Sequence, residues 1–107
     1  MEITYITPDK SIEVKLVYIV KRRLHNYAGF GKTWPKHTQC LCYINGLFHS
    51  FGEAVKHEKD VDDQKFAFKI ATGKALLKLN AKDIRQELWK KLFAELSKEP
   101  EPIIALS

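Results

Sequence analysis

The sequence predicts an α+β fold: a three-stranded antiparallel sheet with a central Asn-Gly hairpin, followed by two helices packed on one of its faces. Three observations carry the prediction. Residues 11–24 alternate between apolar and polar side chains, Asn45-Gly46 separates two apolar runs, and beyond residue 60 the apolar period changes from that of a strand to that of a helix. Strands that come first and helices that come last indicate segregated elements, as in an antiparallel sheet with its helices on one side.

Within residues 11–24, Ile12, Val14, Leu16, Tyr18 and Val20 share one parity, with Glu13, Lys15 and Lys21 opposite. This is the period of a half-buried strand. Val17 and Ile19 interrupt the polar parity, so the second face is expected to be covered midway by a partner subunit. Residues 26–36 hold Gly29, Gly31 and Pro35 with Lys32 and Trp34, and read as a long loop. Strands over 38–44 and 47–56 flank Asn45-Gly46, two residues that tolerate the positive φ of a type I′ turn. Asp60 or Asp62 is expected to cap the first helix, where Phe66, Ile70, Gly73 and Leu77 follow at helical spacing with Ala67 and Ala71 alongside. Asn80 is expected to cap the second, whose stripe of Ile84, Leu88, Leu92 and Leu96 is broadened by Trp89 and Phe93. Residues 1–98 thus form a single domain. In residues 99–107, Pro100 and Pro102 alternate with Glu99 and Glu101, which predicts an extended tail whose Ile103, Ile104 and Leu106 dock on a neighbour.

At 107 residues the chain is the size of one domain with one modest core, so association adds useful burial and a homo-oligomer is expected. A formal net charge of +5 favours anionic partners. Cys40 and Cys42 lie too close together for a disulfide framework, which fits a reducing compartment. The first residues lack the basic start and long apolar run of a signal peptide, and no apolar stretch is long enough for a membrane span. The expectation is a soluble, cytoplasmic protein with no membrane partner.

Cys40 and Cys42 should share a strand face. With His37 or His49 they would make a metal site, but a structural zinc site needs four converging ligands and no second short pair exists, so no metal is expected. Gly29-Phe30-Gly31-Lys32-Thr33 echoes the end of a phosphate-binding loop yet lacks the upstream glycine. It reads instead as a basic-aromatic loop, in which Lys32 and Lys36 flank Trp34 and suit a base with its phosphate. Lys21, Arg22 and Arg23 with His25 form the densest positive run, and residues 10–36 carry a balance of +6. No nucleophile comes with a base and an orienting acid, and no cofactor motif is present. Asp62 and Asp63 read as first-turn charges favourable to a helix dipole.

At His57-Glu58-Lys59-Asp60, followed by Lys69-Ile70-Ala71 and Gly73-Lys74-Ala75-Leu76, and then at Arg85 and Trp89, the sequence resembles a widespread group of small phage-encoded proteins. Those proteins carry a His-Pro-Lys-Asp-like turn, a helix reading Gly-Arg-Lys-Ile-Ala-Leu-Gly-Arg-Ala-Leu, and an Arg-x-x-x-Trp helix. Ala67 and Phe68 depart from the Gly-Arg pair, and Asp62 stands where an aromatic is common. The group is in turn similar to the anti-Thoeris sponge proteins, which bind and sequester cyclic ADP-ribose-type signals as oligomers. The resemblance implies a non-enzymatic phage anti-defence protein of the host cytoplasm that sequesters a nucleotide-derived signal. Arg22, Arg23, Lys32, Lys69, Lys74 and Arg85 are the candidates for holding phosphate, and Trp34 and Trp89 for stacking a base. A nucleic-acid-binding module using the same basic surface, and a protein inhibitor of a host enzyme, are the alternatives.

Overall fold

The computed structural model describes residues 1–22, 25–27, 31–33, 36–56 and 63–98, with side chains described for 1–21, 36–56 and 63–98. Strands β1 (Glu2–Ile6), β2 (Glu13–Arg22), β3 (His25–Tyr27), β4 (Gly31–Thr33), β5 (Lys36–Ile44) and β6 (Leu47–Lys56) precede helices α1 (Gln64–Leu76) and α2 (Lys82–Lys98). The expected α+β class and antiparallel sheet are present, but the sheet has four strands, in the order β1-β2-β5-β6. The additional strand is β1, a five-residue edge strand in which only Ile3 is fully buried, too short to show a period. It is held by β2, with Ile3 opposite Leu16 and Tyr5 opposite Val14.

Residues 26–36 are not a plain loop. They contribute to β3 and β4, which pair as Asn26↔Lys32 and Tyr27↔Gly31. The pairs Arg22↔Lys36 of β2–β5 and His25↔Thr33 of β3–β4 share one register, so the short ribbon prolongs the β2–β5 hairpin as an arm. Glycines and a proline in a sequence hide such a ribbon, because its strands are only three residues long. The Asn-Gly turn forms as expected, with φ of 51° at Asn45 and 81° at Gly46. Asn45 also accepts a 2.8 Å hydrogen bond from the Glu13 amide, pinning the turn to β2. A bulge between Cys42 and Tyr43 shifts the β5–β6 register just before the turn.

Both helices cover one face of the sheet. Val14, Leu16, Tyr18, Cys40 and Cys42 meet Phe68, Ala71, Ala75 and Leu76 of α1 and Leu88, Leu92 and Leu96 of α2 in one core. Each fully buried leucine stabilises the fold by about 2 kcal/mol through area removed from water. In α2, Leu88, Leu92 and Leu96 are buried and Ile84 and Trp89 partly so, as expected, but Phe93, expected to broaden the stripe, is half exposed. The stripe expected of α1 is not buried: Phe66 and Leu77 are 58% and 77% exposed, and the buried positions are Phe68, Ala71, Thr72, Ala75 and Leu76. Small residues decide the matter, because α1 lies so close to β6 that a Cβ at Gly52 would collide with the Ala71 carbonyl oxygen. The α1 cap is Asp63, whose carboxylate accepts a 3.0 Å bond from the Phe66 amide; Asp60 and Asp62 lie outside the described residues. Helix α2 begins one residue later than expected, with Ala81 accepting its bond from Arg85, and Asn80 stays exposed. Residues 99–107 lie outside the described residues. Among the described residues, no helix is long and apolar enough to cross a membrane.

Candidate functional site

The candidate residues fall into two groups. The first follows from strand pairing. Arg22 stands opposite Lys36, and Lys36 opposite Lys56, so the register sets three basic residues side by side across β2, β5 and β6. Neighbouring strands are about 4.8 Å apart, so the register concentrates three basic residues in one row. In the next row, Lys21 pairs with His37 and His37 with Val55. Lys32 lies on β4 opposite Asn26, farther out along the arm. The helix layer ends before this region: on its side of β2, Tyr18 is 7% exposed and Val20 44%. Arg22 is four residues, about 13 Å of strand, beyond Tyr18. Arg23 and Trp34 lie outside the described residues.

The second group lies on the helices. Trp89 of α2 packs over Gly73 of α1, with its ring carbons 3.8 Å from where a Cβ would stand. It stacks on Phe93 at 5.7 Å between centroids and 25° between planes. Lys69 places its ammonium 5.4 Å from the centre of the Phe93 ring. Phe93 is half exposed, so the ring and its cation face solvent. The other two helical candidates have structural partners. Lys74 Nζ donates to the Glu53 carbonyl at 2.9 Å, and Arg85 donates to the Leu79 carbonyl at 2.7 Å, tying down the connection between the helices. Lys69 and Trp89 are therefore brought together through Phe93, on the helices rather than on the strands that carry the arm.

Sequence reasoning placed Lys36 only beside Trp34 and did not place Lys56 or Phe93 in a site. Lys56 is 34 residues from Arg22 in sequence, and only the strand register makes them neighbours in one row. Phe93 was detectable as the i+4 neighbour of Trp89.

Cys40 and Cys42 do share a face, buried beneath α1. His37 sits on the opposite parity of β5, with Nδ1 3.2 Å from Glu53 Oε1, and Gln39 donates to the other oxygen of the same carboxylate at 2.7 Å. His49 meets the Lys78 carbonyl through Nε2 at 3.2 Å. Neither histidine joins the thiols, and no group of three or more potential metal ligands converges among the described residues. Burial pushes the Cys40 thiol up to about 11 and raises Cys42 as well, so both are protonated at neutral pH and are poor ligands and nucleophiles. An open cleft of about 900 Å³ between the β1–β2 turn and the Asn45-Gly46 turn mixes Lys10 with Glu13 in its lining and concentrates no single charge. Compared with protein-family models, with curated proteins and with solved structures, the chain matches none.

Proposed function

We propose that this chain is a non-enzymatic binder of phosphate-bearing ligands, and that its basic arm takes a nucleic-acid backbone. The observation that carries the proposal is the cross-strand row of Arg22, Lys36 and Lys56 at the base of a protruding two-stranded ribbon. A polyanion laid across the row meets three basic residues at once, and attraction of this kind is long-range and sequence-independent. A two-stranded ribbon also fits the major groove of a duplex, and His25, Asn26, Lys32 and Thr33 supply it with polar side-chain types.

Fluorescence anisotropy with a labelled duplex, repeated over a series of salt concentrations, tests the reading. Affinity should fall log-linearly with salt, with a slope of about −0.9 for each phosphate neutralised. Arg22→Ala and Lys56→Ala should each flatten the slope by about one unit while leaving the thermal midpoint in place. Binding that ignores salt, or that survives both substitutions unchanged, overturns it.

A second reading, sequestration of a nucleotide-derived signal as an anti-defence sponge, is favoured by the Trp89–Phe93 stack with Lys69 beside it. A base stacks on an exposed ring, and a cation beside it meets the phosphate. This reading holds if ADP-ribose derivatives or cyclic nucleotides raise the midpoint with little salt dependence, are recovered intact, and lose their effect in Phe93→Ala but not in Lys56→Ala. A cleaved product recovered from the complex would make the protein an enzyme.

A further inference from the structure

The sheet face turned away from the helices is apolar through its middle. Val17, Leu41 and Phe51 stand side by side across β2, β5 and β6. On one flank Tyr43 and Phe48 meet edge to face at 5.9 Å; on the other, Ile19 and Val55 border a polar cluster in which Glu53 meets Gln39 and His37. Phe48 and Phe51 are 57% and 56% exposed. An antiparallel sheet that faces water usually alternates apolar and polar residues, and here the alternation fails in the three strands that carry the row.

We infer that this face is a homodimer interface, with a second copy of the chain packed sheet to sheet about a two-fold axis. Size supports the assignment. Four strands at about 4.8 Å and seven residues at about 3.3 Å give the whole face, with the more polar β1 at its edge, a plane of about 19 by 23 Å. With side-chain relief, two such faces bury roughly 1,200 Å², the lower bound of a stable interface. Charge selects a second copy and sets its orientation. Along the outer parity of β2, Glu13 stands at one end and Lys21 at the other, with Lys15 between them. If the axis lies in the interface and across the strands, Glu13 of one protomer meets Lys21 of the partner subunit. The same arrangement sends the two basic arms to opposite ends. The axis along the strands would bring both arms together, where like charges repel. The inference does not depend on the ligand that the arms bind.

Sedimentation equilibrium on the full chain tests it, with circular dichroism and a thermal melt confirming that each variant is folded. The wild type should be a dimer at micromolar concentrations. Phe51→Lys, a change at an exposed position, should raise the dimer dissociation constant by at least about thirtyfold. Phe93→Lys, on the helical face, should leave it unchanged. Lys21→Glu should weaken the dimer by about tenfold, and Glu13→Lys added to it should restore association, because the pair is exchanged rather than removed. A wild type that stays monomeric at high micromolar concentration overturns the inference. So does a Phe51→Lys variant as dimeric as the wild type, or a Phe93→Lys variant that dissociates. Failure of the charge exchange to restore association overturns the antiparallel arrangement.

Discussion

Tyr18 and Thr72 share a dry space between the sheet and α1, their oxygens 2.6 Å apart. Thr72 donates its one proton to the Phe68 carbonyl at 2.7 Å, so the Tyr18 hydroxyl is the donor between them. Burial raises the Tyr18 pKa well above that of a free tyrosine, and raises Cys40 from 9.0 to about 11. Both groups bind their protons more tightly folded than unfolded. Their contribution is therefore complete below pH 9, where the unfolded thiol is still protonated, and is lost as pH rises toward the folded value. For Cys40 alone the loss reaches about 2 kcal/mol by pH 11. Urea denaturation at pH 8 and pH 10.5 should show a marked fall in stability, and Cys40→Ala should make that fall shallower even if it starts from a lower value. A variant with the same slope as the wild type would remove Cys40 from the account. The common face of Cys40 and Cys42 was legible in the sequence because strand side chains repeat every two residues. The link of His37 to Glu53 was not, since it joins residues on different strands.

Helix α1 rests on β6 through residues with almost no side chain. A Cβ at Gly52 would meet the Ala71 oxygen and, at 2.6 Å, the Ala75 nitrogen, both of them backbone atoms that cannot rotate away. Gly52→Ala should therefore push the helix off the sheet and cost about 3 kcal/mol, lowering the midpoint by more than 10 °C as read by circular dichroism. Gly46→Ala makes the contrast. Nothing lies within 4 Å of its Cβ position, so any cost comes from the positive φ alone and should be nearer 1 kcal/mol. This close approach also explains which elements were legible. The stripe of α2 is built from leucines and announces its buried side. The buried side of α1 is Ala71, Thr72 and Ala75, while its bulky Phe66 and Leu77 point to solvent, so periodicity of large residues selects the wrong face. Strand β1 and the β3–β4 ribbon escaped because five and three residues are too few to establish a period.

At the scale of the molecule, the net charge was legible as composition, whereas its focus was not. The row of Arg22, Lys36 and Lys56 exists only once three strands are in register. Likewise Val17 and Ile19 signalled a covered outer face, but Leu41 and Phe51 joined Val17 only through pairing. If two copies pack there, folding is linked to association. The melting midpoint should then climb by several degrees over a hundredfold rise in protein concentration in scanning calorimetry, and a midpoint independent of concentration would exclude such linkage. The order of elements along the chain has a consequence of its own during synthesis. The sheet is complete at Lys56, yet Leu88, Leu92 and Leu96, which close one half of its inner face, come from the helix that ends at Lys98. At ribosomal rates this delay is about 2–8 s, during which a nascent sheet presents apolar residues on both faces. The arm's positive charge is already on the chain by then and keeps neighbouring nascent sheets apart, so the surface proposed to attract phosphate also protects the unfinished protein from its own copies.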